Sequence, residues 1–161
     1  MKKVLAVITL ALALCMSANA QRESVKYASI GVTGRWLDKA FSDPGMGVAF
    51  GFRNYNQDAF VSFSYGAEAY GYWIPRYSGG SMAYGAYAIP EVGVAIGPRI
   101  FKWHPHAGVM LGYGFEGSGF TLGWKSGSSF DIGNHLTLDF STYKPFNYNP
   151  WTIAANLLWR F

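Results

Sequence analysis

Cysteine is almost missing from this 161-residue chain, and its one copy, Cys15, lies in an apolar run from Val4 to Met16. That run follows Met1-Lys2-Lys3 and precedes Ala18-Asn19-Ala20, so residues 1–20 are expected to be a cleaved signal peptide and residues 21–161 the mature domain. Leu14 precedes Cys15 where a lipidation site has a small residue, which favours cleavage after Ala20 over a lipid anchor. With Cys15 removed, no disulfide can hold the exported domain together, which leaves packing or lipid. Charge is scarce as well, at 14% of residues, and Lys2 and Lys3 carry half of the formal +4. Such a balance offers no basic footprint for nucleic acid. Long hydrophobic runs are absent: nothing in 21–161 reaches the 18 consecutive apolar residues of a membrane-spanning helix. There is no sustained 3.6-residue periodicity, linker, tandem repeat or low-complexity tract, so a single domain is expected.

What is present is aromatic side chains (6 Trp, 11 Tyr, 12 Phe), 20 Gly and strict alternation. In residues 45–53, Met46, Val48, Phe50 and Phe52 share one face, and Gly45, Gly47, Ala49, Gly51 and Arg53 the other. The same period of two runs through 59–73, 82–96, 107–115, 120–125, 135–141 and 151–161, with a first strand near 25–36. The parity through 82–96 favours one long strand, in which Pro90 is a bulge or a break. Turn chemistry separates the runs at Ser42-Asp43-Pro44-Gly45, 54–58, 75–80, 116–119, 126–134 and 144–150. Eight antiparallel strands can close into an up-and-down barrel and so remove their edges. An all-β, eight-stranded antiparallel barrel is therefore expected.

The two faces differ in chemistry. One is Val, Ile, Leu, Met, Phe and Trp. The other mixes Gly, Ala, Ser and Thr with Glu68, Glu91, Glu116, Lys125, Asp139 and Arg160. An eight-stranded lumen is narrow enough for small residues and a few long polar ones to fill. An apolar outside around a polar inside is the transmembrane arrangement. In it, the acids are expected to pair in the lumen with Lys125, Arg35, Arg53 or Arg160, because an unpaired buried charge is costly. Trp36, Trp73 and Trp151 are expected at one rim, and Trp124, Trp159 and Phe161 at the other, as two interfacial aromatic girdles. Arginine at Val48, on the lipid face, is expected to cost more than arginine at lumen-facing Gly51.

The chain stops on Phe161 after Leu157-Leu158-Trp159-Arg160. A terminal aromatic on an alternating last strand resembles the assembly signal of bacterial outer-membrane barrels, and the whole mature segment resembles the small OmpX/OmpA-type class. The resemblance implies export across the inner membrane, an outer-membrane location, and outer-membrane lipids and the barrel assembly machinery as partners.

Candidate chemistry is thin. His104 and His106 are expected in the connection between strands four and five, where a His-x-His pair has no third metal ligand nearby. His135 is expected to face inward near the periplasmic end of strand seven, whereas lipid A deacylases and acyltransferases of this architecture work near the outer leaflet. No catalytic, cofactor or metal site is therefore expected. The loops are short, but Phe41, Tyr77, Tyr143, Phe146 and Tyr148 leave room for a protein partner. The expectation is a non-enzymatic barrel with a structural or interaction role among envelope proteins, for example as an accessory of a transenvelope conjugation or secretion assembly. The alternatives are a lipid-modifying barrel enzyme and, from Gly34-Arg35-Trp36, a secreted lipocalin-like ligand-binding barrel.

Overall fold

The structure is a computed structural model that describes residues 23–37, 40–75, 82–114, 119–146 and 151–161. Eight strands follow in chain order: β1 (Glu23–Leu37), β2 (Ala40–Tyr55), β3 (Val61–Ile74), β4 (Ala83–Ile96), β5 (Phe101–Gly114), β6 (Gly119–Ile132), β7 (Leu136–Pro145) and β8 (Trp151–Arg160). Each pairs antiparallel with its chain neighbours, and β1 pairs with β8 from Tyr27–Arg160 to Trp36–Trp151, which closes the barrel. No sheet edge is left unpaired along that seam. The all-β up-and-down barrel expected from the alternation is the fold.

One end, the turn end, holds the starts of β1, β3, β5 and β7 and the connections at 56–60, 97–100 and 133–135. The other is the loop end. At the turn end, backbone bonds stitch neighbouring connections together: Gly97 N–H donates to the Phe60 carbonyl, Gly133 N–H to Ile100, Arg160 N–H to His135 and Phe161 N–H to Lys26. Gly133 takes φ +63° at the head of its turn, a conformation that a side chain would strain.

Inside and outside follow the parity. Ile30, Val48, Phe50, Val92, Val109, Phe140 and Leu157 point outward and are exposed, with Phe50 at 64%. Thr33, Ser64, Glu68, Lys125, Ser129 and Asp139 point inward and are buried. In water that distribution would place the apolar residues on the wrong side; against hydrocarbon it is the favourable one.

Several expected boundaries move. Ser42-Asp43-Pro44-Gly45 is not a turn but a bulge within β2, where the register with β1 shifts between Thr33 and Arg35. Asp43 has φ +48°, and Pro44 has no N–H to give the ladder, so the extra residue bends the strand without ending it. The expected break at 126–134 shrinks to 133–135, because Ser126, Gly127, Ser128 and Ser129 continue β6 opposite Thr142, Ser141, Phe140 and Asp139. Likewise β5 begins at Phe101, so His104 and His106 lie within a strand rather than a connection. Pro90 divides nothing. It faces outward opposite Ala67, and the β4–β5 register is the same on either side of it.

Candidate functional site

The inward faces of all eight strands meet in a packed polar lumen. Its middle layer carries five charges. Arg53 from β2 donates from Nε to Glu91 of β4 at 2.5 Å, and Lys125 from β6 bonds Glu68 of β3 at 2.8 Å and Glu91 at 3.3 Å. Tyr27 donates its hydroxyl to Glu68 at 3.0 Å. On the far side, Asp139 of β7 accepts from Ser129 at 2.8 Å and Ser141 at 2.7 Å, with an Arg53 nitrogen 3.8 Å away. Lys125 is 0% exposed. A cation so desolvated persists only because carboxylates surround it, and removing a single partner from such a set costs about 3–5 kcal/mol.

Toward the turn end a second cluster converges on Asp131 of β6. Its carboxylate accepts from Tyr55 (2.9 Å), Thr137 (2.7 Å) and Arg160 Nη1 (2.8 Å), and His104 Nε2 lies 2.9 Å away. Arg160 Nη2 also donates to the carbonyls of Gly133 and Leu136, so the last strand grips the β6–β7 turn. The cavity beside this cluster, lined among others by Tyr55, His104 and Arg160, measures about 10 Å3, room for about one water. Lys102 closes the end below, donating to the carbonyls of Ala59 (2.6 Å) and Gly97 (2.8 Å).

Toward the loop end the filling turns aromatic. Tyr70 and Tyr143 stack with centroids 4.3 Å apart, Tyr72 and Tyr87 lie 6.0 Å apart, and Met110 and Ile89 pack among them. Arg35 pairs with Asp43 of the bulge beyond this belt. Among the described residues, side chains fill the lumen from Lys102 to the Arg35–Asp43 pair.

Of the expected lumen charges, Glu68, Glu91, Lys125 and Asp139 share the middle layer and Arg160 belongs to the turn-end cluster. Glu116 lies outside the described residues. Trp36, Trp73 and Trp151 face outward toward the loop end, and Trp159 and Phe161 toward the turn end. Trp124 differs from expectation: it meets Trp151 edge to face at 5.0 Å, because β6 enters at the loop end only five residues earlier. Of the expected loop aromatics, Tyr143 faces the lumen within β7, Phe146 is exposed just beyond that strand, and Tyr77 and Tyr148 lie outside the described residues. His135 does not face inward. It is exposed in the β6–β7 turn, stacked on Trp159 at 5.5 Å. His104 and His106 are buried, and His106 Nε2 lies 3.3 Å from the Ser141 hydroxyl and 3.4 Å from Asp139. Among the described residues no three His, Cys, Asp or Glu come together as a metal-binding group. Asp131, Lys102 and the lumen tyrosines escaped the sequence reading. Asp131 and Lys102 fell in stretches taken for loops, although continued parity from Phe120 would have placed Asp131 inward.

No protein-family model and no curated protein sequence matches the chain. Among solved structures it is similar to the outer-membrane enzyme PagL, with a TM-score of 0.56 and 13% identity over 86% of this chain and 99% of that one. It is also similar to Ail, the attachment invasion locus protein of Yersinia pestis, crystallised with the heparin analogue sucrose octasulfate. There the TM-score is 0.50 and the identity 18%, over 86% of this chain and 99% of that one. At these identities the likeness is one of fold, and the fold is that of the small eight-stranded outer-membrane barrels.

Proposed function

We propose that the chain is an exported outer-membrane barrel, mature from Gln21, with a structural or interaction role in the envelope rather than a catalytic one. The observation that carries this reading is the plug: interlocked charges fill the lumen while the apolar wall faces outward. A filled lumen supports neither an aqueous pore nor the ligand cup of a lipocalin, so function is left to the outer wall and the loop end. The turn end, with both strand termini and its stitched connections, faces the periplasm in this reading. Its partners are outer-membrane lipids, the assembly machinery that reads Phe161, and envelope proteins, a transenvelope assembly among them.

One contact favours the alternative of a lipid-modifying enzyme, the Ser141–His106 pair beside Asp139. A serine hydrolase needs such a pair within reach of its substrate. Here all three side chains are buried, His104 is held against Asp131, and His135 sits in a turn against Trp159. Envelope fractionation with boiled and unboiled gel samples, together with a lipid profile of the expressing cells, tests both readings. A heat-shifted band in the outer membrane with unchanged lipids is expected. Recovery as a soluble periplasmic protein would overturn the proposal, and a deacylated or acylated lipid species would install the enzyme in its place.

A further inference from the structure

The side chains of the lumen satisfy one another with few exceptions, and the exceptions converge. Among the described residues, five buried side-chain atoms have no hydrogen-bond partner: Arg53 Nη2, His104 Nδ1, the Tyr143 hydroxyl, Asn156 Oδ1 and Arg160 Nε. Three of them, on Arg53, His104 and Arg160, belong to residues that line one cavity, the space of about 10 Å3 beside Asp131. Arg53 and Arg160 are 6% exposed and His104 is 1% exposed. Arg53 Nη2 lies 3.8 Å from Asp139, beyond hydrogen-bond distance. An unmade bond at a buried polar group is costly, and more so at a charged one.

The chemistry of the three atoms decides what can join them. Arg53 Nη2 and Arg160 Nε only donate. His104 Nε2 lies 2.9 Å from an Asp131 oxygen. An ionised carboxylate only accepts, so the ring hydrogen sits on Nε2 and the other nitrogen takes its role from that bond. A second ring hydrogen would set a third cation beside two guanidiniums, so Nδ1 is bare and accepts. The missing partner must therefore accept twice and donate once. A halide or other bare anion has no hydrogen to give Nδ1, and a metal cation would face both guanidiniums. Water meets all three demands, fits the volume, and makes about three hydrogen bonds when buried.

We propose that this cavity is a built site for a single water, which accepts from Arg53 Nη2 and Arg160 Nε and donates to His104 Nδ1. Arg53 belongs to the middle layer, and His104 and Arg160 to the Asp131 cluster. Each cluster bonds within itself, and the water supplies the bond between them. Strands β2, β5 and β8 thus meet at one molecule. Val25 and Arg160 line both this cavity and an open pocket of about 240 Å3 at the turn end, which gives the water its way in. The site rests on the barrel fold and not on the role proposed above.

The full mature chain, refolded in detergent and verified by its heat-shifted band, is crystallised, with a second set of crystals soaked in bromide. The same protein, isotope-labelled at its histidine nitrogens, gives the protonation of each ring nitrogen by magnetic resonance. One ordered density peak within hydrogen-bond distance of Arg53 Nη2, Arg160 Nε and His104 Nδ1 is expected, without anomalous signal from bromide. The His104 ring is expected to carry its hydrogen on Nε2 and none on Nδ1. A cavity without density in the folded barrel overturns the site. An anomalous peak there makes it an anion site and overturns the proposal as well. So does a His104 ring protonated at Nδ1, because the water then has no acceptor to meet.

Discussion

Asp131 is the most informative residue to perturb. Its carboxylate is nearly enclosed and takes hydrogen bonds from Tyr55, Thr137 and Arg160, with His104 at the same oxygen as Tyr55 and Arg160. Asn in its place keeps the shape but loses the charge and turns one acceptor into a donor facing donors. Each hydrogen bond to a charged group is worth about 1.5–3 kcal/mol, but the donors act as a unit and their losses do not add. The larger effect is that the Arg160 guanidinium is left buried beside a neutral amide. Breaking a buried pair from one side costs about 3–5 kcal/mol, whereas replacing both partners by uncharged groups is often close to neutral. D131N is therefore expected to lose about 3–5 kcal/mol, and D131N/R160M to recover much of that loss, giving a coupling well above the few tenths of independent sites. Urea titrations of the four cycle members in detergent or vesicles, followed by tryptophan emission, measure it. A D131N variant within about 1 kcal/mol of wild type, or a double variant as unstable as the sum of the singles, would refute the claim that this cluster ties the turn end together.

The lumen geometry reverses the order expected for two arginine substitutions. V48R faces lipid and should cost about 2–4 kcal/mol; at Gly51 even a Cβ would lie 2.5 Å from the Tyr27 hydroxyl and 2.7 Å from the Ala67 carbonyl. G51A should then cost about 1–3 kcal/mol and G51R should fail to fold, so bilayer unfolding titrations that rank V48R below G51R would contradict this packing. Deleting Phe161 should lower the yield of heat-shifted, membrane-inserted protein several-fold, while K39Q leaves it unchanged. Equal yields by quantitative blotting would detach residue 161 from assembly.

The architecture could be read from parity because a two-sided strand in lipid obeys a stricter rule than one in water. Every second residue must be apolar, and Met46 to Phe52, Ala107 to Phe115 and Trp151 to Phe161 keep to it. The strand ends were harder, and for a reason specific to small barrels. A lumen this narrow is filled by Ser, Gly and short polar groups, so β6 from Ser126 to Ser129 has the composition of a loop although every second residue faces inward. Pro44 and Pro105 misled in the same way, one at a bulge and one inside β5, where turn-forming residues sit within strands. Pairing partners were only partly legible. That the lumen acids pair with Lys125, Arg53 or Arg160 follows from charge balance, but that Lys125 bridges Glu68 and Glu91 does not. That Arg160 meets Asp131 rather than Asp139 depends on the stagger of the strands.

The order of contacts along the chain has a consequence for how the barrel is made. Seven of the eight seams join consecutive strands, so each needs only a short loop to close, and loop-closure entropy grows slowly with length. The eighth joins Tyr27 to Arg160 and Trp36 to Trp151, across nearly the whole length of the barrel sequence. Non-local order is thus concentrated in a single event, which slows folding where it occurs. Hairpins can accumulate one by one, and the assembly stays an open sheet until β8 finds β1. Arg160 and Asp131 come together through the local β6–β7–β8 seams, where the guanidinium also holds the Gly133 and Leu136 carbonyls. What the last seam brings is the opposite wall: Tyr55 of β2, whose hydroxyl meets both Asp131 and Arg160. An ion pair assembled by neighbours thus waits for a residue near the other end of the chain to complete its shell, and an unfinished barrel leaves that pair open on one side.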